Sequence, residues 1–344
     1  MNRLSRALMT AVALGSVLLA TGCSDEGEPV SFDGPAVKAP TGGGAQKGGG
    51  AAAEAAAKTL LPTGPKASFT TQNTLDDGTR IGVTTLEGRK SGFTGKVWVW
   101  APEQYFDEKY AGSGFPVLIA LPGGNGYPNN YWMGTDLKLQ SSIAKWSKEG
   151  RSLPFIVVMP VLNPDAKNYY DGSDIPGQPK MGTWMTEDVP DFVKANFRTF
   201  TSRDGWAFMG SSSGAFVGLK SVLQRPDRFK AVIASGPDTV PDSPLWSGHE
   251  PQRQANNPEK LAEALGARPD TGANAVYLAF QVGTKESGVA RVKKFVRDYG
   301  KGPVKTRLQV IQDGEHNAKT YVQGMGDGSI EWISKHMQAP VPTP

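Results

Sequence analysis

The sequence predicts an α/β fold, a mostly parallel central sheet with helices on both faces and an antiparallel start. Three observations predict it. The first half opens with alternating strands joined by a tight turn. From Phe115 onward, short continuous apolar runs alternate with stretches of helical periodicity. Between one such run and one such helix lies Gly210-Ser-Ser-Ser-Gly214, the G-x-S-x-G pattern in a strand-turn-helix context.

The elements follow in order. Ser68–Thr74 and Arg80–Leu86 read as a hairpin about the turn Leu75–Gly78. Lys96–Ala101 is a third strand, with Trp98 and Trp100 on one face. Phe115–Leu121 is wholly apolar, as a strand buried on both faces must be, and ends in Pro122-Gly-Gly-Asn-Gly-Tyr127. Leu139, Ile143 and Trp146 form a helical stripe, and Phe155–Val161 is the next buried strand. A polar loop, Asn163–Thr183, precedes a helix carrying Met185, Val189, Phe192 and Phe197. Pro190 then fits only near that helix's first turn.

The Trp206–Met209 strand leads through the serine turn to a helix with Ala215, Leu219, Val222 and Leu223 on one face. Lys230–Ala234 is a strand, and the polar stretch Thr239–Asn257 around Trp246 is a loop or cap over a site. Leu261–Leu265 is a short helix and Ala275–Gln281 a strand. Val289, Val292, Phe295, Val296 and Tyr299 make a helical face. Lys305–Gln312 is the last strand and Ile330–Met337 the closing helix.

The ends divide from this domain by composition. Residues 1–22 read as a secretory leader: Arg3 and Arg6 precede fourteen largely apolar residues, Ala7–Ala20, too few to span a bilayer. The leader ends at Ala20-Thr-Gly-Cys23, which resembles the lipobox of bacterial lipoproteins, with alanine where leucine is preferred. The resemblance implies lipidation of Cys23, the only cysteine, and attachment to the outer face of a cell membrane. No second cysteine exists to form an intrachain disulfide. Residues 23–65, with two Gly-Gly-Gly runs and few large apolar side chains, read as a disordered tether. Residues 66–338 form one globular domain. Loss of the leader removes Arg3 and Arg6, so the net charge of +4 falls by two. With no basic stripe, nucleic acid is not an expected partner.

A serine hydroxyl needs a base and an orienting acid to act as a nucleophile. Ser212, at the centre of the glycine-flanked turn, is the candidate nucleophile. Of three histidines, His316 follows the last strand directly, whereas His249 lies before the late strands and His336 in the closing helix. Glu286 follows the preceding strand in Val282-Gly-Thr-Lys-Glu286, and Asp298 and Asp313 are weaker candidates. The order Ser212, Glu286, His316 is that of the α/β-hydrolases. Two backbone N–H groups must receive the oxyanion, and Ser213 and Gly124 are the candidates. Tyr131 and Trp132, beside Asn129 and Asn130, are candidate substrate contacts. This chemistry needs no metal and no organic cofactor.

The chain resembles the esterase D, feruloyl esterase and mycolyltransferase group of α/β-hydrolases over most of Lys96–Met337. The carriers are Pro116–Gly124, Phe155–Pro160, Thr183–Pro190, Gly210–Gly214 with Arg225–Phe229, and Gly314–Asn317. Pro122 departs from the aspartate or histidine that many relatives place before the first glycine. The resemblance implies a serine acyl enzyme with Ser212, His316 and Glu286 as its triad. The function expected is an envelope-anchored esterase. Acyl transfer to a sugar or glycolipid hydroxyl, or a non-catalytic binding lipoprotein of the same fold, are the alternatives.

Overall fold

The structure, a computed structural model, describes residues 27–35 and 58–342. The leader and Cys23 lie outside the described residues. A ten-stranded sheet runs in the order β1-β3-β4-β5-β7-β6-β9-β10-β11-β12. Its antiparallel half comprises β1 (Pro29–Val30), β3 (Phe69–Thr74), β4 (Arg80–Glu87) and β5 (Thr94–Trp100). The parallel half comprises β6 (Val117–Leu121), β7 (Ile156–Pro160), β9 (Trp206–Ser211), β10 (Ala231–Ser235), β11 (Val276–Gly283) and β12 (Val304–Ile311). Strand β5 joins the halves by pairing antiparallel with β7.

The apolar runs become the central strands because burial on both faces suits an all-apolar sequence. Every residue of β6, β7, β9 and β10 is buried. Burying one of their large aliphatic side chains contributes roughly 1.5–3 kcal/mol. Helices cover both faces. Gly218, in the helix Ser213–Gln224, faces Phe208 and Val232 closely enough that a Cβ would touch both. Leu278 is in register with Val232, so its neighbour Tyr277 points to the opposite face. There the His336 ring stacks on Tyr277 at 3.9 Å.

The ordered domain extends into the stretch expected as tether. Strand β1 pairs with β3 and becomes the sheet edge, and Phe32 packs its ring 5.0 Å from Phe69 and 5.4 Å from Phe197. Strand β2 (Thr59–Leu60) pairs with β8 (Thr199–Phe200). The boundary at Lys66 is therefore corrected: one buried aromatic and two strand pairings tie parts of 27–35 and 58–65 to the domain.

The segments Thr183–Pro190 and Arg225–Phe229 are held together by one carboxylate. Glu187 bonds Arg225 at 2.7 Å, Arg228 at 2.6 Å and Lys90 at 3.0 Å. Its neighbour Asp188 accepts from the backbone N–H groups of Lys90 and Ser91. Together they fasten the β4–β5 turn to the segment before the helix Val189–Asn196.

Burial alone would raise the Glu187 carboxyl, but hydrogen bonds from Arg225, Lys90 and Arg228 outweigh it and hold it at about 2. A carboxyl held this low stabilises the folded state at neutral pH, and the stabilisation fades as pH falls from about 4.5 toward 2. We expect Glu187→Gln to cost about 2 kcal/mol at pH 7, allowing for the partial exposure of its partners. The difference should vanish near pH 2. Urea melts of both proteins at the two pH values check this, and equal stability at pH 7 would overturn it.

Candidate active site

The site forms where the loops after β6, β9, β10, β11 and β12 meet. Strand β9 ends at Ser211 and the helix Ser213–Gln224 begins two residues later, leaving Ser212 to make the whole turn. Its backbone adopts φ 52° and ψ −121°, a conformation that costs a non-glycine residue on the order of 1–3 kcal/mol. Support comes from the next strand, since the Ser212 N–H donates to Ser235 O at 2.8 Å. The turn is tight enough to exclude side chains on either flank. A Cβ on Gly214 would lie 2.6 Å from Leu121 O, and one on Gly210 would lie 2.7 Å from Ala215 N.

Glu286 and His316 come from the loops after β11 and β12. His316 Nδ1 lies 2.7 Å from Glu286 Oε2. The Glu286 side chain is 2 % exposed and that of His316 is 49 % exposed, so the acid is dry and the base faces solvent. Glu286 Oε1 accepts from the Gly283 N–H at 2.6 Å. Burial would raise the Glu286 carboxyl, but bonds from His316, Gly283 and Tyr321 outweigh it and keep it below its ordinary value. It therefore stays ionised beside the imidazole.

Tyr321 escaped the sequence reading. Its hydroxyl donates to Glu286 Oε2 at 2.9 Å and lies 2.8 Å from His316 Nδ1. Burial and the Glu286 carboxylate push this phenol well above its ordinary value, so it remains a donor. Tyr321 stands in the helix Ala318–Gly324, which Asn317 caps by accepting from the Thr320 N–H at 2.9 Å. A cap residue directly after His316 was the available signal. Asp313 is exposed and bonds only weakly to Gln312, while Asp298 pairs with Lys294 and Arg297, so neither competes with Glu286. His249 opens the short helix Glu250–Ala255, and His336 is stacked on Tyr277.

Ser212 and His316 line one cavity of about 590 Å³, together with Gly123, Gly124, Tyr131 and Tyr321. Among the described residues no hydrogen bond joins Ser212 to His316. Such bonds are often long in unliganded hydrolases and tighten with substrate. Ser213 is the first residue of its helix, so its N–H has no intrahelical acceptor. On the facing loop the Gly123 N–H is taken by Tyr131 Oη at 2.7 Å, and Tyr131 also hydrogen-bonds Ser211. The Gly124 carbonyl accepts from Ser213 Oγ at 2.6 Å, fastening that loop to the serine turn. Tyr131 thus sits in the site.

Trp132 does not reach the site, and its expected role as a substrate contact is corrected. It is fully buried, and its Nε1 donates to Leu121 O at 2.9 Å. Asn130 Nδ2 bridges Ala120 O and Pro160 O, so the Asn-rich stretch clamps β6 to β7 rather than facing a ligand.

Residues 93–321 match the model of the Esterase family, described as "Putative esterase". Among solved structures the chain is similar to a ferulic acid esterase at 18 % identity and a TM-score of 0.61, covering 75 % of this chain and 99 % of that one. It is similar to an S-formylglutathione hydrolase from Agrobacterium tumefaciens at 18 % identity and a TM-score of 0.60, covering 78 % and 99 %. A fluorophosphonate-binding serine hydrolase of Staphylococcus aureus gives 15 % identity and a TM-score of 0.57, covering 74 % and 98 %. No curated protein matches the chain. The likenesses place the expected α/β-hydrolase fold beyond composition and pattern alone.

One position tests how closely the acid and base are packed. Gly236 has φ +57°, and a Cβ there would lie 2.7 Å from Glu286 Oε2 and 2.8 Å from His316 Cε1. We expect Gly236→Ala to displace the pair and lower kcat/KM on ester substrates about 100-fold, with cooperative unfolding kept. Undiminished turnover would show that the pair does not depend on this packing.

Proposed function

The chain belongs to this Esterase family and is a serine hydrolase, and on that premise we propose that it cleaves carboxylic esters through an acyl-enzyme on Ser212. The observation that carries the assignment of roles is the Ser212 turn opening on the same cavity as His316, whose far nitrogen is held by a buried carboxylate.

In this reading Ser212 Oγ attacks the ester carbonyl while His316 Nε2 takes the hydroxyl proton. The new Oγ–C bond places negative charge on the carbonyl oxygen. The N–H groups of Ser213 and Gly124 receive that charge, helped by the positive end of the helix Ser213–Gln224. As the tetrahedral species collapses, the C–O bond to the alcohol breaks and the imidazolium returns its proton to the departing oxygen. Water then attacks the acyl-enzyme by the same route and releases the acid. Glu286 holds the Nδ1–H tautomer and stabilises the imidazolium, while Tyr321 and the Gly283 N–H keep Glu286 in place.

The cellular reading rests on the sequence. The Arg3–Ala20 leader and the lipobox-like Ala20–Cys23 support a protein lipidated on Cys23 and attached to the outer face of a cell membrane. Among the described residues no helix is long and apolar enough to cross one.

Two outcomes are expected. A fluorophosphonate should modify Ser212, and Ser212→Ala should abolish labelling of the folded protein. An adduct mapped by mass spectrometry to Ser211 or Ser213 would sink the assignment. Expressed in a bacterial host, the chain should partition with membranes, with Cys23→Ser leaving the unprocessed precursor. A mature N-terminus other than lipidated Cys23 would refute the anchor.

A further inference from the structure

Ser212 lies between two cavities. The larger, of about 590 Å³, contains His316. The smaller, of about 160 Å³, opens on the other side of the turn and is lined by Leu162, Tyr169, Asp171, Phe216 and Asp242 as well as Ser212 and Ser213. The two are chemically inequivalent. His316 must protonate the departing oxygen, so the alcohol leaves through the cavity His316 lines. The acyl group remaining on Ser212 is directed to the smaller cavity. A cavity of about 150 Å³ holds one benzene ring, so only a short acyl group fits.

Asp171 gives that cavity its chemistry. It is 5 % exposed. Its Oδ2 accepts from Trp246 Nε1 at 2.7 Å and from the Ser243 N–H at 3.3 Å. Its Oδ1 accepts no hydrogen bond among the described residues. A carboxylate oxygen on the cavity wall with no protein donor is free to accept from a ligand's donor in place of water. The placement is braced from behind. Asp171 has φ 52°, and the buried Lys220 donates to its carbonyl at 2.8 Å, to Ser173 Oγ at 2.6 Å and to the Gly172 carbonyl.

We propose that the smaller cavity is the acyl pocket and that Asp171 Oδ1 accepts a hydrogen bond from a hydroxyl on a short acyl group. Hydroxyacyl esters are then preferred over plain acyl esters of equal length, and acyl groups ending in a carboxylate are rejected. The rejection follows from charge: Asp171, Asp238 and Asp242 line the cavity, and no cationic side chain does. Asp238 is itself tied to Arg291. A hydroxyl is favoured over an ammonium because Lys220 already stands behind Asp171, and an ammonium would lose its hydration in so small a space. The inference rests on the esterase reading above.

The test compares kcat/KM for the p-nitrophenyl esters of butyrate, 3-hydroxybutyrate and hemisuccinate, which share one leaving group. The hydroxybutyrate ester should exceed the butyrate ester by about tenfold, the effect of one hydrogen bond to a charged group. The hemisuccinate ester should fall below butyrate. Asp171→Asn should flatten the pattern. Trp246 and Ser243 both donate to Oδ2, so the amide oxygen must face them and the amide NH2 must face the cavity. The amide can only donate to the acyl hydroxyl, in a weaker neutral bond, so the hydroxyl preference should shrink to a few-fold at most and the hemisuccinate ester gain. Equal turnover of butyrate and hydroxybutyrate esters by the unmodified enzyme overturns the proposal without recourse to the variant, as does a preference unchanged in folded Asp171→Asn. Turnover of none of the three, without fluorophosphonate labelling, would instead remove the esterase reading beneath it.

Discussion

The site depends on backbone packed directly on backbone at the start of the helix Ser213–Gln224. Gly214 lies against the carbonyls of Leu121 and Pro122 with no room for a side chain. That contact sets the helix origin beside the end of β6, and the sheet order puts β10 on the other side of β9. The turn between them has one residue with which to reverse direction, and Ser212 takes the strained conformation. Its cost is offset by the bond to Ser235 O and by a helix buried along nearly its whole length. Strain of this kind persists only where surrounding structure over-determines it. Here two strands and a helix do so.

From that fixed point the electrostatics follow a gradient of burial. The acid is enclosed, with donors from Gly283, Tyr321 and His316 on its two oxygens. The base is half open to the cavity where substrate must bind. A dry, ionised carboxylate holds the imidazole more firmly than a solvated one, because the local dielectric is lower. Gly236 makes the arrangement possible by leaving space beside Glu286 and His316. The loops after β10, β11 and β12 therefore act as one unit, although they are separated widely in sequence.

What the sequence made legible were features with local causes. All-apolar runs marked β6, β7, β9 and β10, and the glycines around Ser212 marked the turn. His316 was found because it directly follows β12, and Glu286 because it follows β11. What escaped depends on distant partners. Strands β1, β2 and β8 are two residues long and carry no periodicity, so only their pairings reveal them. Trp132 stands in a polar Asn-rich stretch and reads as a candidate substrate contact, yet Leu121 O and the Asn130 clamp draw it inside. Tyr321 belongs to a helix with too few apolar residues to show a stripe, and its role exists only through Glu286.

The two kinds of loop divide the work. The reactive groups stand at strand ends, where the sheet fixes them, while the smaller cavity is walled by the start of the serine helix and by the segments 162–174 and 238–257, outside the sheet. These segments are joined to each other through Asp171 and Trp246. They are joined to the catalytic machinery through Lys220, which lies seven residues, about two turns, beyond the first residue of the serine helix. In the proposed reading, one helix thus aims its N-terminal N–H groups at the reacting carbonyl and, from its buried side, positions the carboxylate that faces the acyl group. A shift of that helix would move both together. The pocket wall can therefore change by substitution in either loop without disturbing the serine turn, provided Lys220 keeps its three oxygen partners.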